Sequence, residues 1–327
     1  RLRYMNFVSF SVTIIYYFDM GKFVFGPVPS RRLGFSLGVD IVPKKYCSFD
    51  CIYCQVGKTT NHVVQRKSFF DPDAIVKEVI EQSKNQDGID FITFSGSGEP
   101  TLNTDIGRMI NEIKGKTDIP LSVITNSSLL KDDKVKDDLK EADVVLPSLD
   151  AASEDIFRYI NRPHSLIELD MIIESLKEFR SGYKGKIWLE IMLLKNINDE
   201  MEEITKLKEI IEYISVDKVH LNTVTRPPSH DTAKVVERAE LNKIREFIGT
   251  NCEVVCSFKK SDAMKKEEDW LELLPEILRR RSLTLDDILK ITGLSTDKTK
   301  ERLNVLENQK KIKSFCFGDS IYYMADD

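Results

Sequence analysis

From residue 37 to residue 248, short apolar runs alternate with longer runs of helical period, six times in succession. The expected strands are 37–42, 90–95, 121–125, 143–148, 186–194 and 218–223. The expected helices are 71–86, 105–113, 131–141, 166–181, 199–214 and 242–248. Regular alternation of this kind requires right-handed crossovers and parallel strands, because each helix must return over the sheet before the next strand begins. The fold class is therefore α/β. Six units are too few for a closed eight-stranded barrel and suit a partial (β/α)6 barrel, whose functional groups belong at the C-terminal strand ends.

With 41% hydrophobic and 31% charged residues, the 327-residue chain has the balance of a globular protein. A formal net charge of -5 gives no global attraction to nucleic acid or anionic membrane, so any nucleic-acid site has to be a local basic patch. The chain opens on Arg1, and residues 5–18 form an apolar run. That run is shorter than the roughly 20 residues of a membrane span, and no A-x-A-like cleavage site follows it. Residues 1–19 are expected to be an over-extended start, with an added strand or helix, or a targeting segment, as the alternatives. Residues 20–262 are expected to form the barrel. A charge-rich break at 259–269 separates it from residues 263–327. There, three helices (270–280, 285–292, 295–308) and a hairpin (312–324) give the pattern of a winged helix-turn-helix.

Three of the six cysteines fall within eight residues, at Cys47, Cys51 and Cys54. In a large, charged chain such spacing points to metal in a reducing compartment, hence to the cytoplasm. Three thiolates on one loop can ligate three irons of a cubane cluster and leave the fourth open to another ligand. A structural zinc wants four ligands, and none of His62, His164, His220 and His230 lies at ligand spacing. Free structural thiols are the remaining alternative. The spacing CxxxCxxC, with Tyr53 just before the last cysteine, resembles the signature of the radical S-adenosylmethionine (SAM) superfamily. That resemblance implies a [4Fe–4S] cluster whose open iron chelates SAM. It further implies reductive cleavage to a 5′-deoxyadenosyl radical, and an electron donor such as ferredoxin or flavodoxin.

Other strand ends fit a SAM pocket. Ser95-Gly96-Ser-Gly98-Glu99-Pro follows the second strand, and its two glycines allow close approach of backbone to a ligand. By resemblance this loop holds the SAM amino group; a plain strand-to-helix turn is the alternative. Thr125 and Asn126 end the third strand, and Ser148 and Asp150 the fourth. By resemblance they contact the methionyl part and the ribose, and otherwise they are strand caps or Asx-turns. Arg162 falls where relatives keep an arginine for the SAM carboxylate, a role suited to a guanidinium; a surface salt bridge is its alternative. Glu190 interrupts an apolar strand and needs a partner, in the pocket or within the fold. Asn222 ends the sixth strand, with adenine contact or a turn as its expected role.

The string Phe25-Gly-Pro-Val-Pro-Ser-Arg-Arg-Leu-Gly34, then Ser36 to Asp40 and Gln55-Val-Gly57, is narrower. Over residues 26–228 it resembles prokaryotic Fe–S oxidoreductases related to the archaeal wyosine-tRNA synthesis enzymes. The pyruvate-condensing member of that group carries a second cysteine set upstream, and no cysteine precedes Cys47 here. That activity is therefore not expected. Cys252 and Cys256, about 13 Å apart along a strand, are read as structural; Cys316 has no assigned role. Arg31 and Arg32, placed before the first strand, are read as an anion site or an ion-pair clasp. Lys298, Lys300, Arg302, Lys310, Lys311 and Lys313 give the tail a basic face, diluted by Asp297, Glu301 and Glu307. The expected substrate is a macromolecule, RNA (tRNA-like) first and protein or peptide second, with no membrane partner. A cluster-based redox sensor that binds DNA is the competing class. Anaerobic reconstitution should load about four irons, and alanine at Cys47, Cys51 or Cys54 should abolish this. Stoichiometric zinc without charge-transfer absorbance would refute it.

Overall fold

A computed structural model describes residues 23–85, 88–249, 251–255, 270–318 and 320–326. The apolar run at 5–18, the charge-rich break at 259–269 with the expected boundary at 262/263, and Cys256 lie outside the described residues. The described residues begin with a hairpin, β1 (Val24–Ser30) and β2 (Gly34–Val39), followed by two short strands, β3 (Tyr46–Cys47) and β4 (Asn61–His62). Then come α1 (Pro72–Asn85), β5 (Phe91–Phe94), a 3-10 turn (Pro100–Leu102), α2 (Ile106–Lys114), β6 (Leu121–Thr125), α3 (Asp133–Leu139) and β7 (Val144–Pro147). The succession continues with α4 (Glu154–Asn161), α5 (Leu169–Gly182), β8 (Lys186–Leu193), α6 (Met201–Ile214), β9 (Lys218–Thr223), α7 (Arg238–Ile248) and β10 (Cys252–Val254).

These strands form one eight-stranded sheet, ordered β1-β2-β5-β6-β7-β8-β9-β10. Every neighbouring pair from β2 to β10 is parallel, and the sheet curls into a half barrel. All six expected strands are present. Two edges were not in the expected set. β10 extends the parallel run, and β1 pairs antiparallel with β2. Arg31 and Arg32 therefore lie in the turn of a hairpin and do not precede the first strand, a correction to the expected order. The extended backbone that two prolines impose on residues 27–29 suits an edge strand, where a missing N–H does no harm. The extra helix α4 ends at Arg162, which adopts a left-handed conformation with φ 43°.

Residue pattern fixes which face each element buries. Ile106, Met109, Ile110 and Ile113 of α2 recur at three- and four-residue spacing and are all fully buried. Burying each is worth roughly 1.5–3 kcal/mol before ordering costs. Along β8, Ile187, Leu189, Ile191 and Leu193 are buried among the core residues, while Trp188, Glu190 and Met192 take the opposite, half-buried face. A carboxylate is thereby placed inside the half barrel.

The C-terminal segment comprises α8 (Trp270–Arg280), β11 (Leu283–Thr284), α9 (Leu285–Thr292), α10 (Thr296–Asn308), β12 (Ile312–Phe317) and β13 (Ser320–Ala325), with a small sheet ordered β11-β13-β12. Thr284 and Asp287 form a reciprocal capping box on α9, and Gly293 ends it at φ 64°. This segment does not stand apart. Phe25 and Val28 of β1 share one buried cluster with Leu274, Ile277, Leu278 and Ile288. Phe25→Ala should therefore lower stability by about 3–5 kcal/mol, measured by urea denaturation, and should open the C-terminal segment to limited proteolysis. Unchanged protection of that segment would show that the shared cluster does not hold it.

Candidate functional site

The cysteine loop leaves β2 and crosses the C-terminal ends of the sheet strands. Cys47 is fixed by the parallel pairing of β3 with β4. Tight turns follow, with Cys54 N–H donating to the Cys51 carbonyl at 3.1 Å and Gly57 N–H to the Cys54 carbonyl at 3.2 Å. Each sulfur faces a donor. Asn126 Nδ2 lies 3.6 Å from Cys47 Sγ, Asn161 Nδ2 3.5 Å from Cys51 Sγ, and Lys45 Nζ 3.3 Å from Cys54 Sγ. Burial, then the nearby Glu99 carboxylate, pushes the Cys47 thiol up to about 12; burial and then Asp150 push Cys51 well above the ordinary range. Cys54 acts electrostatically on Cys47, and both Cys47 and Cys54 act on Cys51. Among the described residues no three His, Cys, Asp or Glu side chains converge at the spacing of a single bound ion. Three soft thiol donors, each met by a hydrogen-bond donor, fit an iron–sulfur cluster, whose irons would displace the thiol protons.

Two buried carboxylates brace this loop. Asp150 Oδ2 accepts from Tyr53 Oη at 2.5 Å and Asn161 Nδ2 at 2.6 Å, and its Oδ1 accepts from Met192 N–H at 2.8 Å. Asn161 was not singled out in the sequence, where nothing marks a residue 110 positions from Cys51 as its partner. Glu99 Oε1 accepts from Thr101 N–H at 3.0 Å, Thr101 Oγ1 at 2.6 Å and Thr125 Oγ1 at 2.7 Å; its Oε2 accepts from Asn126 N–H at 2.7 Å. Asn126 then donates to Ser48 Oγ at 2.9 Å. Thr125, Asn126, Glu99 and Asp150, all expected at the SAM pocket, are thus tied to the cysteine loop in this structure. Ser148 is held by its backbone, donating to the Thr125 carbonyl and accepting from Ser127 Oγ at 2.9 Å, and it bridges to Glu190.

The glycine loop has its own anchor, Asp40, at the end of β2. Ser97 donates to Asp40 from its N–H at 3.2 Å and its hydroxyl at 2.6 Å, and Arg280 Nε donates to the same carboxylate at 3.1 Å. A Cβ on Gly96, at φ 149°, would strike the Asp40 carboxylate, and one on Gly98 would strike the Tyr46 carbonyl. Both glycines therefore serve a close approach of chain to chain. Asp40 closes the string Ser36 to Asp40 noted in the sequence, which gave it no role.

Glu190 forms an ion pair with Arg32 and accepts from Asn222 Nδ2 at 3.2 Å. Asn222 Oδ1 accepts from Arg31 Nη1 at 3.0 Å. The β1–β2 turn is thus clasped onto the inner face of β8 and β9. Beneath it lies a cavity of about 230 Å³, walled by Ser95, Gly96, Gly98, Gln55, Arg32 and Arg226 among others. Arg162 meets the cysteine loop through its carbonyl, which accepts from Asp50 N–H at 3.2 Å. Cys252 is buried on β10 and Cys316 is exposed on β12.

The family model of the radical SAM superfamily matches residues 41–208. A UPF0026 protein of Methanocaldococcus jannaschii is 35% identical over 311 residues, 92% of this chain and 95% of that protein. A Brachyspira hyodysenteriae protein named GTPase Obg is 45% identical over 233 residues, 71% of this chain; the chain covers 34% of that relative's length. A solved radical SAM methyltransferase from Sphaerobacter thermophilus shares the fold with a TM-score of 0.53 at 14% identity, over 67% of this chain and 65% of that one.

Burial raises the Asp40 carboxyl above the usual carboxylate range, and Arg280 and Ser97 pull it back. A raised folded value means that the native chain holds this proton to higher pH than the unfolded chain, so stability falls as pH climbs through that window. Arg280→Met removes the opposing charge and should cost about 3–5 kcal/mol near neutrality, and less at pH 5 than at pH 8. Adding Asp40→Asn should restore most of the loss. Urea midpoints at the two pH values decide it, and an equal loss at both would rule out a charged Asp40.

Proposed function

The chain belongs to the radical SAM superfamily, and from that premise we propose that it modifies a macromolecule at the mouth of the half barrel, RNA in preference to protein. Enzymes of this superfamily use a [4Fe–4S] cluster and SAM. Cys47, Cys51 and Cys54 are the residues that would hold the cluster, and the Ser95–Glu99 loop with the strand ends at Thr125, Asn126, Ser148 and Asp150 is proposed for SAM, with Arg162, Glu190 and Asn222 at the margin. When bound, the pair supplies one-electron cleavage of SAM.

The chain's own groups set the conditions. The donors Asn126, Asn161 and Lys45 would place positive ends of dipoles, or a full charge, against the three sulfurs, which favours the reduced state of a cluster. Tyr53, held by Asp150, keeps the turn between Cys51 and Cys54 in place. Such enzymes need a reductant; ferredoxin or flavodoxin is proposed. Among the described residues no helix is long and apolar enough to cross a membrane.

The substrate reading rests on the exposed lysines of α10 and the turn after it, Lys298, Lys300, Lys310 and Lys311. They are the exposed cations that a chain of net charge -5 would offer to an anionic partner locally. The order helix, strand, two helices, two strands in this segment supports a winged helix used for docking. A redox sensor acting on DNA has no use for a glycine loop that lines a cavity at the strand ends. RNA binding should weaken steeply with salt, because each phosphate contact releases a counterion. Lys298→Ala and Lys300→Ala should each make the slope of log affinity against log salt shallower by about one unit. Salt-independent substrate binding would overturn the RNA reading and favour a peptide.

A further inference from the structure

Two cavities share a wall. The 230 Å³ cavity holds Ser95, Gly96 and Gly98. A larger basin of about 610 Å³ lies between the β1–β2 turn, the loop after β9 and the C-terminal segment, lined by Arg31, Arg226, Arg281 and Lys290 and by the carboxylates of Asp286 and Asp287. Arg226 and Arg281 line both.

We propose that this basin binds a phosphate group of the substrate, clasped by Arg226 and Arg281 with Arg31 beside them. The proposal rests on the reading that substrate meets the half-barrel mouth, and it does not require that substrate to be RNA.

Three segments distant in sequence each deliver a guanidinium here. Arg226 Nη1 donates to Gln55 Oε1 at 3.1 Å, a neutral acceptor beside Cys54. Arg281 turns both terminal nitrogens to the Pro29 carbonyl at 3.4 Å, and its Nε is buried with no partner among the described residues. Arg31 donates to Asn222 and to Thr225 Oγ1 at 2.9 Å. Among the described residues no carboxylate lies within ion-pair distance of Arg226 or Arg281. Asp286 and Asp287 line the basin and Asp287 acts on both guanidiniums through space, but each of these acids, like Glu190, has a nearer partner. Asp287 accepts from Thr284 N–H at 3.2 Å in the cap of α9, Asp286 meets Lys290 at 3.4 Å, and Glu190 pairs with Arg32.

Burial, and then Arg281 and Arg31, hold the Arg226 guanidinium well below its ordinary value; burial lowers Arg281 to about 10, with Asp287 opposing. Like charges gathered in a low-dielectric wall repel one another, and an anion between them reverses the sign of that interaction. Two or three planar forks present more donors than the two oxygens of a carboxylate can accept, whereas a phosphate offers oxygens on several sides. A basin of this volume admits a nucleotide. Because Arg226 and Arg281 also wall the smaller cavity, a phosphate held by them places the adjoining part of the substrate next to the glycine loop.

The test uses the anaerobically reconstituted full chain, with inorganic pyrophosphate as probe and calorimetry at low salt. Wild type should bind it, and Arg226→Met and Arg281→Met should each weaken binding about tenfold or more. Arg281→Lys should lose less than Arg281→Met, since it keeps the charge without the fork. Iron content reports whether each variant has folded. Should a variant fail to fold, pyrophosphate should still shield Arg226 and Arg281 of wild type from phenylglyoxal labelling, read by mass spectrometry. No binding by wild type, equal binding by the variants, absent shielding, or a loss confined to SAM affinity would each overturn the proposal. RNA bound through Lys298 and Lys300 but indifferent to Arg226 and Arg281 would sink the basin and spare the RNA reading. Pyrophosphate bound without RNA would do the reverse.

Discussion

The loop that presents three thiols has only a two-residue ladder of its own, which reaches Cys47 and neither Cys51 nor Cys54. Here the holding is done by two buried carboxylates on opposite sides of the loop. Glu99 reaches Cys47 through Asn126, and Asp150 reaches Cys51 and the turn before Cys54 through Asn161 and Tyr53. An unpartnered carboxylate at such depth costs several kcal/mol. Four donors on Glu99 and three on Asp150, each hydrogen bond to a charged group worth about 1.5–3 kcal/mol, offset that cost only in this one arrangement. The loop is rigid because any shift leaves a buried charge short of donors.

The same logic joins the glycine loop to the cysteine loop. Lys45 N–H donates to the Ser97 carbonyl at 2.8 Å, and Glu99 N–H to the Tyr46 carbonyl at 3.0 Å. The approach is so close that neither Gly96 nor Gly98 has room for a side chain. A glycine loop and a cysteine loop built this way move as one body, and Asp40 fastens both to β2 and to Arg280.

Much of this was legible in the sequence because it is local. Six strands, the helices between them and the three thiols are written in periodicity and spacing. Glu190 was recognised as a carboxylate in need of a partner, since an apolar strand cannot satisfy it. The partners themselves were not legible. Arg32 pairs with Glu190 only because the β1–β2 hairpin folds over the sheet, and the proline-rich string that forms β1 carries no alternation to announce a strand. Asp40 and Asn161 matter through contacts 57 and 110 residues away, which no motif encodes. The polar strand ends Thr125, Asn126 and Asp150 were singled out as positions, and the structure adds that they are tied to Glu99 and the cysteine loop.

The bond between Asp40 and Arg280 spans 240 residues, and that between Arg281 and Pro29 spans 252. On a ribosome, the first hairpin emerges long before its apolar and ionic partners exist. Phe25 and Val28 must wait, exposed, while the parallel strands are laid down one by one. Contacts this distant along the chain close late and slowly. Asp40 meets its cation only when α8 has been synthesised, so the glycine loop acquires its final anchor after every strand of the parallel sheet has been made. Closure of the cavity beside that loop is thereby deferred until the C-terminal segment has followed the sheet.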